Sequence, residues 1–216
     1  MEDVASHPLK AGEARIQIEV ALTCGTDLKV FKRGYHAKMI IPPALFGHEF
    51  AGVIAELAPD ITGWRVGERV AVANSAPCGQ CFYCRNHQEN LCDDLLFLNG
   101  AYARFIVVPA RLVQKNLLRL KPGTDFCDAA LVEPLACVVQ GIEDTRLRRG
   151  QSVLVIGAGP IGLMFVALAR HLGCRVTVAG RGKKRLETAQ RLGAELVLNA
   201  SEQRGLADAI PRGAGF

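Results

Sequence analysis

The stretch VLVIGAGPIG, residues 153–162, decides the fold of the C-terminal part of the chain. An apolar run enters it, three glycines follow with G-x-G-x-x-G spacing, and the residues beyond favour a helix. These glycines permit a tight turn, close approach of a pyrophosphate, and close packing of the helix on the strand. The helix N-terminus then faces the phosphates. By itself, the G-x-G-x-x-G spacing is weak evidence for a dinucleotide site. Its candidate cofactor-binding residues are Gly157, Gly159, Pro160, Ile161 and Gly162.

Strands and helices alternate around and beyond this turn. The pattern predicts strands over residues 152–156, 175–179 and 195–198, with helices over 160–172 and 183–192. Such alternation is typical of a parallel, doubly wound sheet. We therefore predict an α/β dinucleotide-binding (Rossmann) domain over residues 150–216, preceded by a separate domain over residues 1–149.

The end of the second predicted strand bears on the choice of cofactor. About 20 residues beyond the glycines, NAD enzymes usually carry an acid that hydrogen-bonds the ribose 2′-hydroxyl. Here Gly180 occupies that place and Arg181 follows it. Without a carboxylate nothing repels a 2′-phosphate, and Arg181, helped by Lys183 or Arg185, can pair with one. The sequence favours NADP(H) over NAD(H). The alternative is that Arg181 stacks on adenine or points to solvent.

The N-terminal part of the chain has a different strand pattern. Apolar and polar residues alternate over residues 15–22, which is typical of a half-buried strand. Further short strands are predicted over residues 50–57, 68–73 and 102–108, separated by Gly, Pro and Asn turn signals. These strands predict a small antiparallel, barrel-like domain ahead of the parallel sheet.

The composition excludes several classes of protein. The 216 residues are 50% hydrophobic and 22% charged, which is typical of a folded globular chain. A net charge of +5, without interleaved aromatics, gives no sign of nucleic-acid binding. Glycines and a proline interrupt the uncharged run at residues 150–169, so we reject a membrane span. Residues 1–12 lack the apolar core of a signal peptide, and we expect a cytoplasmic protein.

Four of the eight cysteines fall in one short loop. Cys78, Cys81, Cys84 and Cys92 have C-x2-C-x2-C-x7-C spacing. A reducing compartment disfavours disulfides, so clustered thiols point to a metal. Four thiolates close a tetrahedron around one Zn²⁺ and leave no open position, which predicts a structural zinc lobe over residues 77–93. The alternatives are chance clustering and an iron–sulfur cluster.

A second metal site has to be assembled from distant segments. Cys24 lies in C-G-T-D, His48 and Glu49 lie in G-H-E, and Glu133 lies in V-E-P-L. Each has an ordinary alternative: a small core cysteine, a hydrogen-bonded histidine, or an acid on a surface helix or loop. Together, in this order and with the four-cysteine loop among them, they resemble the catalytic zinc pattern of the zinc-containing medium-chain dehydrogenase/reductase family. Glu133 is similar to the glutamate of its sorbitol- and threonine-dehydrogenase-like branch.

The resemblance implies a ligand set for a catalytic zinc. Cys24 and His48 would bind the metal, with Glu49 and Glu133 as its acidic ligands. Soft, borderline and hard donors with one open position make a Lewis acid that acidifies a substrate hydroxyl, and hydride transfer to NAD or NADP then becomes feasible.

The resemblance also implies a proton relay. Thr26 occupies the position of the family's hydroxyl side chain, which passes the proton away from the alcohol. Asp27 matches the carboxylate that steadies the zinc histidine and fixes its tautomer. Lys29 stands where many relatives carry a histidine, so the chain departs from the pattern at the outer end of the relay. The candidate catalytic residues are Cys24, Thr26, His48 and Glu49.

The implied protein has a GroES-like β-barrel domain followed by a Rossmann domain. It would oxidise a secondary alcohol, polyol, sugar or amino alcohol to a carbonyl. Family members continue for well over a hundred more residues and form dimers or tetramers through a late strand, so we expect residues 150–216 to supply only the first three strands of the sheet. The alternative is a non-catalytic, zinc-binding remnant. A zinc-free quinone-reductase relative is disfavoured, because that branch lacks the cysteines and G-H-E.

Overall fold

The computed structural model describes residues 7–35, 39–40 and 44–202. Contacts divide the chain into two units, Met1–Glu133 and Pro134–Phe216. The sequence places the domain boundary later, at residues 149 and 150, just ahead of the first parallel strand, and that boundary stays a prediction.

An antiparallel sheet forms most of the first unit. The strands described there are β1 (Ala14–Leu22), β2 (Glu49–Leu57), β3 (Arg69–Val72), β4 (Ser75–Ala76), β5 (Leu96–Phe97), β6 (Phe105–Val108) and β7 (Leu117–Arg119). Five of them pair in the order β6-β1-β2-β3-β7, and β4 pairs with β5. Each pairing is antiparallel, as the alternating sequence pattern predicted.

The register of β1 against β2 brings two distant parts of the sequence together. Pairing runs from Ala14 opposite Leu57 to Leu22 opposite Glu49. The chain therefore leaves β1 beside the point at which it enters β2. Any side chain just after β1 becomes a neighbour of one just before β2.

The core of the first unit is built from alternate residues of these strands. Ile16 and Ile54 are fully buried, as the period of two requires, and Phe50 is almost fully buried. Each such side chain contributes roughly 1.5–3 kcal/mol by leaving water. The other large members of this cluster are Val70, Val72, Leu98, Ile106, Val108, Leu112, Val113 and Leu117.

Short helices connect the strands of the first unit. They are α1 (Gly25–Arg33), α2 (Phe82–Arg85), α3 (Ala110–Asn116) and α4 (Phe126–Ala129), and a 3₁₀ turn covers Glu89–Leu91. The longer α5 (Val132–Asp144) comes next and belongs to the second unit from Pro134 onward. The sequence predicted helix only after Asp128. α1 ends at Gly34 with φ +93°, a left-handed conformation that glycine adopts without strain.

The second unit alternates strands and helices as predicted. Its elements are β8 (Ser152–Ile156), α6 (Pro160–His171), β9 (Arg175–Gly180), α7 (Lys183–Arg191) and β10 (Leu196–Asn199). The sheet has the order β10-β9-β8, and both pairings are parallel. Each observed boundary lies within one residue of its prediction. The α/β class of this unit is thereby confirmed.

The uncharged run at residues 150–169 divides into β8, a turn and the start of α6. Val166 and Ala169 of α6 are fully buried and pack in one core with Val176 and Val178 of β9. Among the described residues, no helix is long and apolar enough to cross a membrane.

Candidate functional site

The four sulfurs of the short cysteine loop lie together. The sulfurs of Cys78, Cys81, Cys84 and Cys92 all lie within 4.8 Å of one another. Cys84 Sγ is 3.5 Å from Cys81 Sγ and 3.9 Å from Cys78 Sγ, and Cys81 Sγ is 3.9 Å from Cys92 Sγ. A tetrahedron with Zn–S bonds of about 2.3 Å has edges of about 3.8 Å. The loop therefore fits one tetrahedral zinc ion.

Backbone N–H groups point at these sulfurs. Cys78 Sγ accepts hydrogen bonds from the N–H groups of Cys81 at 3.3 Å and Gln80 at 3.4 Å. Cys92 Sγ accepts one from the N–H of Cys78 at 3.2 Å. Such donors favour the charged form of a sulfur, which is the form that binds metal.

The thiols of the loop differ in acidity. Backbone N–H donors, that of Gln80 first, lower the pKa of Cys78. Backbone N–H donors at Cys84 and Asp93 lower the pKa of Cys81 to about 6. Burial raises the pKa of Cys84 to about 12. A bound cation brings all coordinating thiols to the thiolate form.

The second candidate site begins at the start of α1. Cys24 is the N-cap residue, and its sulfur accepts the N–H of Thr26 at 3.1 Å. In return, Asp27 Oδ2 accepts the N–H of Cys24 at 3.0 Å. These reciprocal bonds form a capping box. The motif C-G-T-D therefore starts the helix and also fixes a sulfur and a carboxylate at the same helix end.

His48 lies between that sulfur and that carboxylate. Its Nε2 is 3.2 Å from Cys24 Sγ, and its Nδ1 is 3.3 Å from Asp27 Oδ1. His48 and Asp27 are each only 3% exposed. Burial lowers the pKa of His48, although Asp27 opposes the shift. The imidazole is therefore neutral at neutral pH. Asp27 favours a proton on Nδ1, which leaves the lone pair of Nε2 facing the sulfur.

Two glutamates complete the cluster. Glu49, Glu133 and His48 each offer a ligand atom within 4.8 Å of the others. Burial, then the charges of Glu133 and Asp27, raise the pKa of Glu49 to about 7. Burial, then the charge of Asp27, raises the pKa of Glu133. Buried acids that repel one another in this way suit a cation between them.

The donor set fits zinc. A tetrahedral Zn²⁺ with one sulfur and one nitrogen ligand separates the two by about 3.5 Å, and Cys24 Sγ and His48 Nε2 lie 3.2 Å apart. The groups Cys24–Asp27–His48 and His48–Glu49–Glu133 share the histidine. The thiol, imidazole and carboxyl groups that these two clusters bring together through His48 are ligand types typical of zinc.

Two other residues of α1 were singled out by the sequence. Thr26 is half-buried next to Cys24, and Lys29 is exposed on the helix. The structure thus places Thr26 beside Cys24, whose sulfur its N–H contacts, and Lys29 on the surface of α1. The relay role of Thr26 stays a prediction.

Sequence analysis missed Tyr102, whose hydroxyl reaches this site. It lies 3.0 Å from Asp27 Oδ2 and donates there. The sequence placed Tyr102 at the start of a strand, but β6 begins at Phe105, because Gly100 and Ala101 donate to the carbonyl of Gly47 in a turn. Tyr102 is 46% exposed as a whole, but desolvation at its hydroxyl raises its pKa to about 12. An aromatic residue in a loop gives no sequence signal for such a contact.

The glycine-rich turn of the second unit has the close packing that its motif predicts. Gly157 has φ +113°, and its N–H donates to Ala179 at 2.7 Å. A Cβ at Gly162 would lie 1.9 Å from the carbonyl oxygen of Gly157, so only glycine fits there. Gly159 caps α6 without a side-chain partner, and Pro160 follows at the first turn. The N–H groups at this helix start suit an anion. Ile161 is 43% exposed beside them.

The end of β9 is shaped by Ala158. A Cβ at Gly180 would lie 2.7 Å from Ala158 Cβ and 2.9 Å from its nitrogen. An acidic side chain has no space at this position. Arg181 and Arg185, the candidate partners of a 2′-phosphate, are both exposed, as is Lys183.

Comparison with known proteins identifies the family. Residues 10–118 match the alcohol dehydrogenase GroES-like domain, and residues 160–215 match the zinc-binding dehydrogenase domain. The chain belongs to the zinc-containing medium-chain dehydrogenase family. Its fold class, a GroES-like domain with a Rossmann-type parallel sheet, is thereby confirmed as the sequence predicted.

Several members of this dehydrogenase family are similar over most of the chain. L-threonine 3-dehydrogenase of Bacillus velezensis is 31% identical over 94% of this chain and 59% of its own length. Sorbitol dehydrogenase of Bacillus subtilis is 32% identical over 90% of this chain and 56% of its own. The solved alcohol dehydrogenase TADH from Thermus sp. ATN1 is 31% identical, with a TM-score of 0.85, over 96% of this chain and 62% of its own. The chain thus spans about three fifths of the length of these dehydrogenases.

Proposed function

We propose that this chain carries the zinc centres and the phosphate-binding turn of an NAD(P)-linked dehydrogenase. Its reaction is the oxidation of a secondary alcohol, polyol, sugar or amino alcohol to a carbonyl. The observation that supports this most is the convergence of Cys24, His48, Glu49 and Glu133 from three parts of the sequence, in two groups that share His48. Ordinary core or surface residues would have no reason to meet in this way.

The residues of the site have separate tasks in this proposal. Cys24, His48 and the two glutamates hold the metal, and Asp27 fixes the tautomer of His48. When bound, zinc acidifies the substrate hydroxyl, and NAD(P) accepts the hydride. Thr26, half-buried beside Cys24, receives the hydroxyl proton and passes it outward. Lys29, exposed on the same helix, stands where many relatives carry a histidine, so the outer end of the relay departs from the family pattern.

Glu133 supports a polyol or amino alcohol over a simple alcohol. It stands in V-E-P-L, the motif that is similar to the sorbitol- and threonine-dehydrogenase-like branch. The similar proteins of Bacillus subtilis and Bacillus velezensis are named for sorbitol and for L-threonine. A substrate with a second polar group next to the reacting hydroxyl is the class that we propose.

A turnover assay tests the proposal. The zinc-loaded chain is mixed with NADP⁺ and a panel of secondary alcohols, polyols and amino alcohols, and NADPH formation is followed by absorbance. We expect turnover to fall by about 100-fold or more in Glu133→Ala, by analogy with the loss of other catalytic groups. Cys127→Ser, an exposed cysteine outside both clusters, is the control. Binding of zinc and NADPH without turnover would instead favour a non-catalytic, zinc-binding remnant.

We propose NADP(H) as the preferred cofactor. Gly180 carries no acid, and the crowding against Ala158 leaves no space for one. Arg181, Lys183 and Arg185 are exposed cations at the end of β9 and the start of α7. Cations that pair with phosphate favour the 2′-phosphorylated cofactor.

Fluorescence titration with NADPH and NADH tests this preference. We expect NADPH to bind about tenfold more tightly, and Arg181→Ser to remove most of that difference, since one charge-assisted pair contributes about 1.5–3 kcal/mol. Lys184→Ser, which removes a nearby exposed cation on α7, is the control. Equal affinity for the two cofactors in the wild type would count against a 2′-phosphate site.

The proposed partner is a small alcohol, with no role for nucleic acid or a membrane, and the proposed location is the cytoplasm. All eight cysteines are free thiols, and four of them form the zinc lobe, as suits a reducing compartment. Family members assemble as dimers or tetramers. The oligomeric state of this protein can be read from its mass in solution.

A further inference from the structure

Tyr102 connects three segments of the dispersed metal site, although it is not a metal-binding residue itself. Its hydroxyl lies 3.0 Å from Asp27 Oδ2, 3.0 Å from Thr23 Oγ1 and 3.2 Å from the carbonyl oxygen of Leu22. Leu22 ends β1, and Asp27 belongs to the first turn of α1. The phenol thus lies where the strand gives way to the helix that Cys24 caps.

The ring of Tyr102 rests against Gly47, the residue before His48. Gly47 has φ +87°, and a Cβ there would lie 2.6 Å from Cδ1 of the tyrosine. The N–H of Tyr102 donates to the carbonyl of Phe46 at 3.1 Å. The N–H of Ala101 donates to the carbonyl of Gly47 at 3.0 Å. The segment that carries the zinc histidine therefore also fixes the position of the tyrosine.

The hydroxyl of Tyr102 determines how the Asp27 carboxylate is turned. A hydroxyl has one proton to donate, and a carboxylate is the strongest acceptor within its reach. Asp27 Oδ2 then accepts from Tyr102 and from the N–H of Cys24, each at 3.0 Å. Two donors on Oδ2 leave Oδ1 to face His48 Nδ1 at 3.3 Å. Without the phenol, one backbone N–H alone would orient the carboxylate.

We propose that Tyr102 is a positioning residue of the zinc site. Through Asp27 it holds His48 in the orientation in which Nε2 faces Cys24. This inference rests on the proposed zinc site and adds a residue that no ligand motif contains. A tyrosine that served only to fill space against Gly47 would need its ring but not its hydroxyl.

The substitution Tyr102→Phe separates the ring from the hydroxyl. It keeps the contact with Gly47 and removes the donor to Asp27. Zinc affinity is measured on the full chain by competition with a chromogenic chelator, and ligand geometry is followed by the visible absorption of Co²⁺ in place of zinc. We expect the Kd of the dispersed site to rise about 10- to 100-fold, the usual effect of losing such a partner. The Co²⁺ bands of that site should shift.

Two comparisons serve as controls. Tyr35→Phe removes a phenol that is 55% exposed, and it should change neither affinity nor spectrum. The zinc of the four-cysteine lobe is an internal reference, and its affinity should stay the same in Tyr102→Phe. The thermal midpoint of each variant is recorded with and without zinc, so that a folding defect is recognised as such.

A double-mutant cycle with Asp27→Asn tests the route of the effect. If Tyr102 acts through Asp27, the hydroxyl has no route to the metal in the Asp27→Asn background. Tyr102→Phe should then change the zinc Kd of the dispersed site by less than about twofold, which is the usual error of such cycles. A full effect in both backgrounds would overturn the proposal, because the hydroxyl would then act without the carboxylate.

The zinc content of the wild type distinguishes failure of the proposed zinc site from failure of the proposed role of Tyr102. A wild-type chain that binds one zinc ion, and loses it in Cys81→Ser, would overturn the dispersed zinc site and the role of Tyr102 together. Two zinc ions in the wild type, with unchanged affinity and Co²⁺ spectrum in Tyr102→Phe, would overturn the role of Tyr102 alone.

Discussion

The two proposed metal centres of the first unit are built in opposite ways. In the proposed assignment, the four-cysteine lobe takes all its ligands from residues 78–92 and uses only thiols, whereas the dispersed site takes its ligands from Cys24, His48, Glu49 and Glu133. The lobe is held by backbone N–H groups of its own loop. The dispersed site depends on the pairing of β1 with β2, a capping box and a tyrosine from a distant turn.

The difference teaches how each centre relates to folding. A ligand set within one loop cannot form without the metal that closes it, so metal binding and loop folding are one event. A ligand set carried by a sheet and a helix is assembled by the hydrophobic core first. The lobe should therefore fold only when zinc is bound, whereas the dispersed site should bind zinc only after the sheet and helix have folded.

Loss of one lobe ligand should have the largest effect on stability. In Cys81→Ser we expect zinc content to fall from two ions per chain to one, and the zinc-saturated chain to lose about 4 kcal/mol of unfolding free energy, as for a ligand present at about 1,000 times its Kd. Amide protons of residues 78–92 should lose protection while those of β1 and β2 keep it. Metal analysis, denaturant unfolding and hydrogen exchange measure these changes.

Cys127→Ser is the matched control for that variant. Cys127 is exposed and lies outside both clusters, so zinc content and unfolding free energy should stay at wild-type values. Two zinc ions bound to Cys81→Ser with undiminished stability would contradict the structural role of the lobe.

The acids of the dispersed site should give the chelator-treated, metal-free chain a stability that falls as pH rises. The folded-state pKa of Glu49 is raised from 4.5 to about 7, so the unfolded chain releases its proton first. Unfolding is then favoured progressively between pH 4.5 and 7, by up to about 3 kcal/mol, and no further above pH 7. Unfolding free energies across this range measure the slope.

Glu49→Gln isolates this contribution, because glutamine does not titrate. The loss of stability with rising pH that separates the wild type from Glu49→Gln should shrink when zinc is added, since the ion binds the charged carboxylates. The same slope should persist in Cys81→Ser, whose remaining metal site is the dispersed one. A slope that Glu49→Gln leaves unchanged would place its origin in other groups.

The smallest expected difference between the two sites is in their affinity for zinc. Four thiolates and a closed site should hold zinc about tenfold or more tightly than a mixed donor set with an open position. A chelator titration of the wild type should therefore show two phases. Cys24→Ser should lack the weaker phase and Cys81→Ser the tighter one, and a reversed assignment would contradict the comparison.

Sequence patterns predicted the regular parts of both units well. The strand β1 buries one face, which gives its sequence a period of two, and each helix after residue 150 buries one stripe of side chains. Packing in the core requires this burial, so the pattern is visible in the sequence. The short helices of the first unit were not predicted, because they are set by caps and turns. α1 is the example: its start is a capping box made from Cys24 and Asp27, residues with no hydrophobic periodicity.

The residues of the candidate sites also differ in how far local sequence could predict them. The four cysteines were predicted from spacing alone, because neighbours in sequence must be neighbours in space. The dispersed ligands needed a family resemblance, since no local pattern tells that Leu22 pairs with Glu49. Tyr102 had neither kind of signal, because its contact with Asp27 arises from tertiary structure only.

The crowding at Gly180 limits the mutational routes by which cofactor preference can change. A β-carbon at this position would lie 2.7 Å from the side chain of Ala158 and 2.9 Å from its backbone nitrogen. Gly180→Asp would therefore displace the glycine-rich turn before its carboxylate could meet a ribose. Ala158→Gly would remove one of these two contacts and leave the other. A switch toward NAD(H) is thus an epistatic change, in which the backbone of the turn must move first and the acid follows.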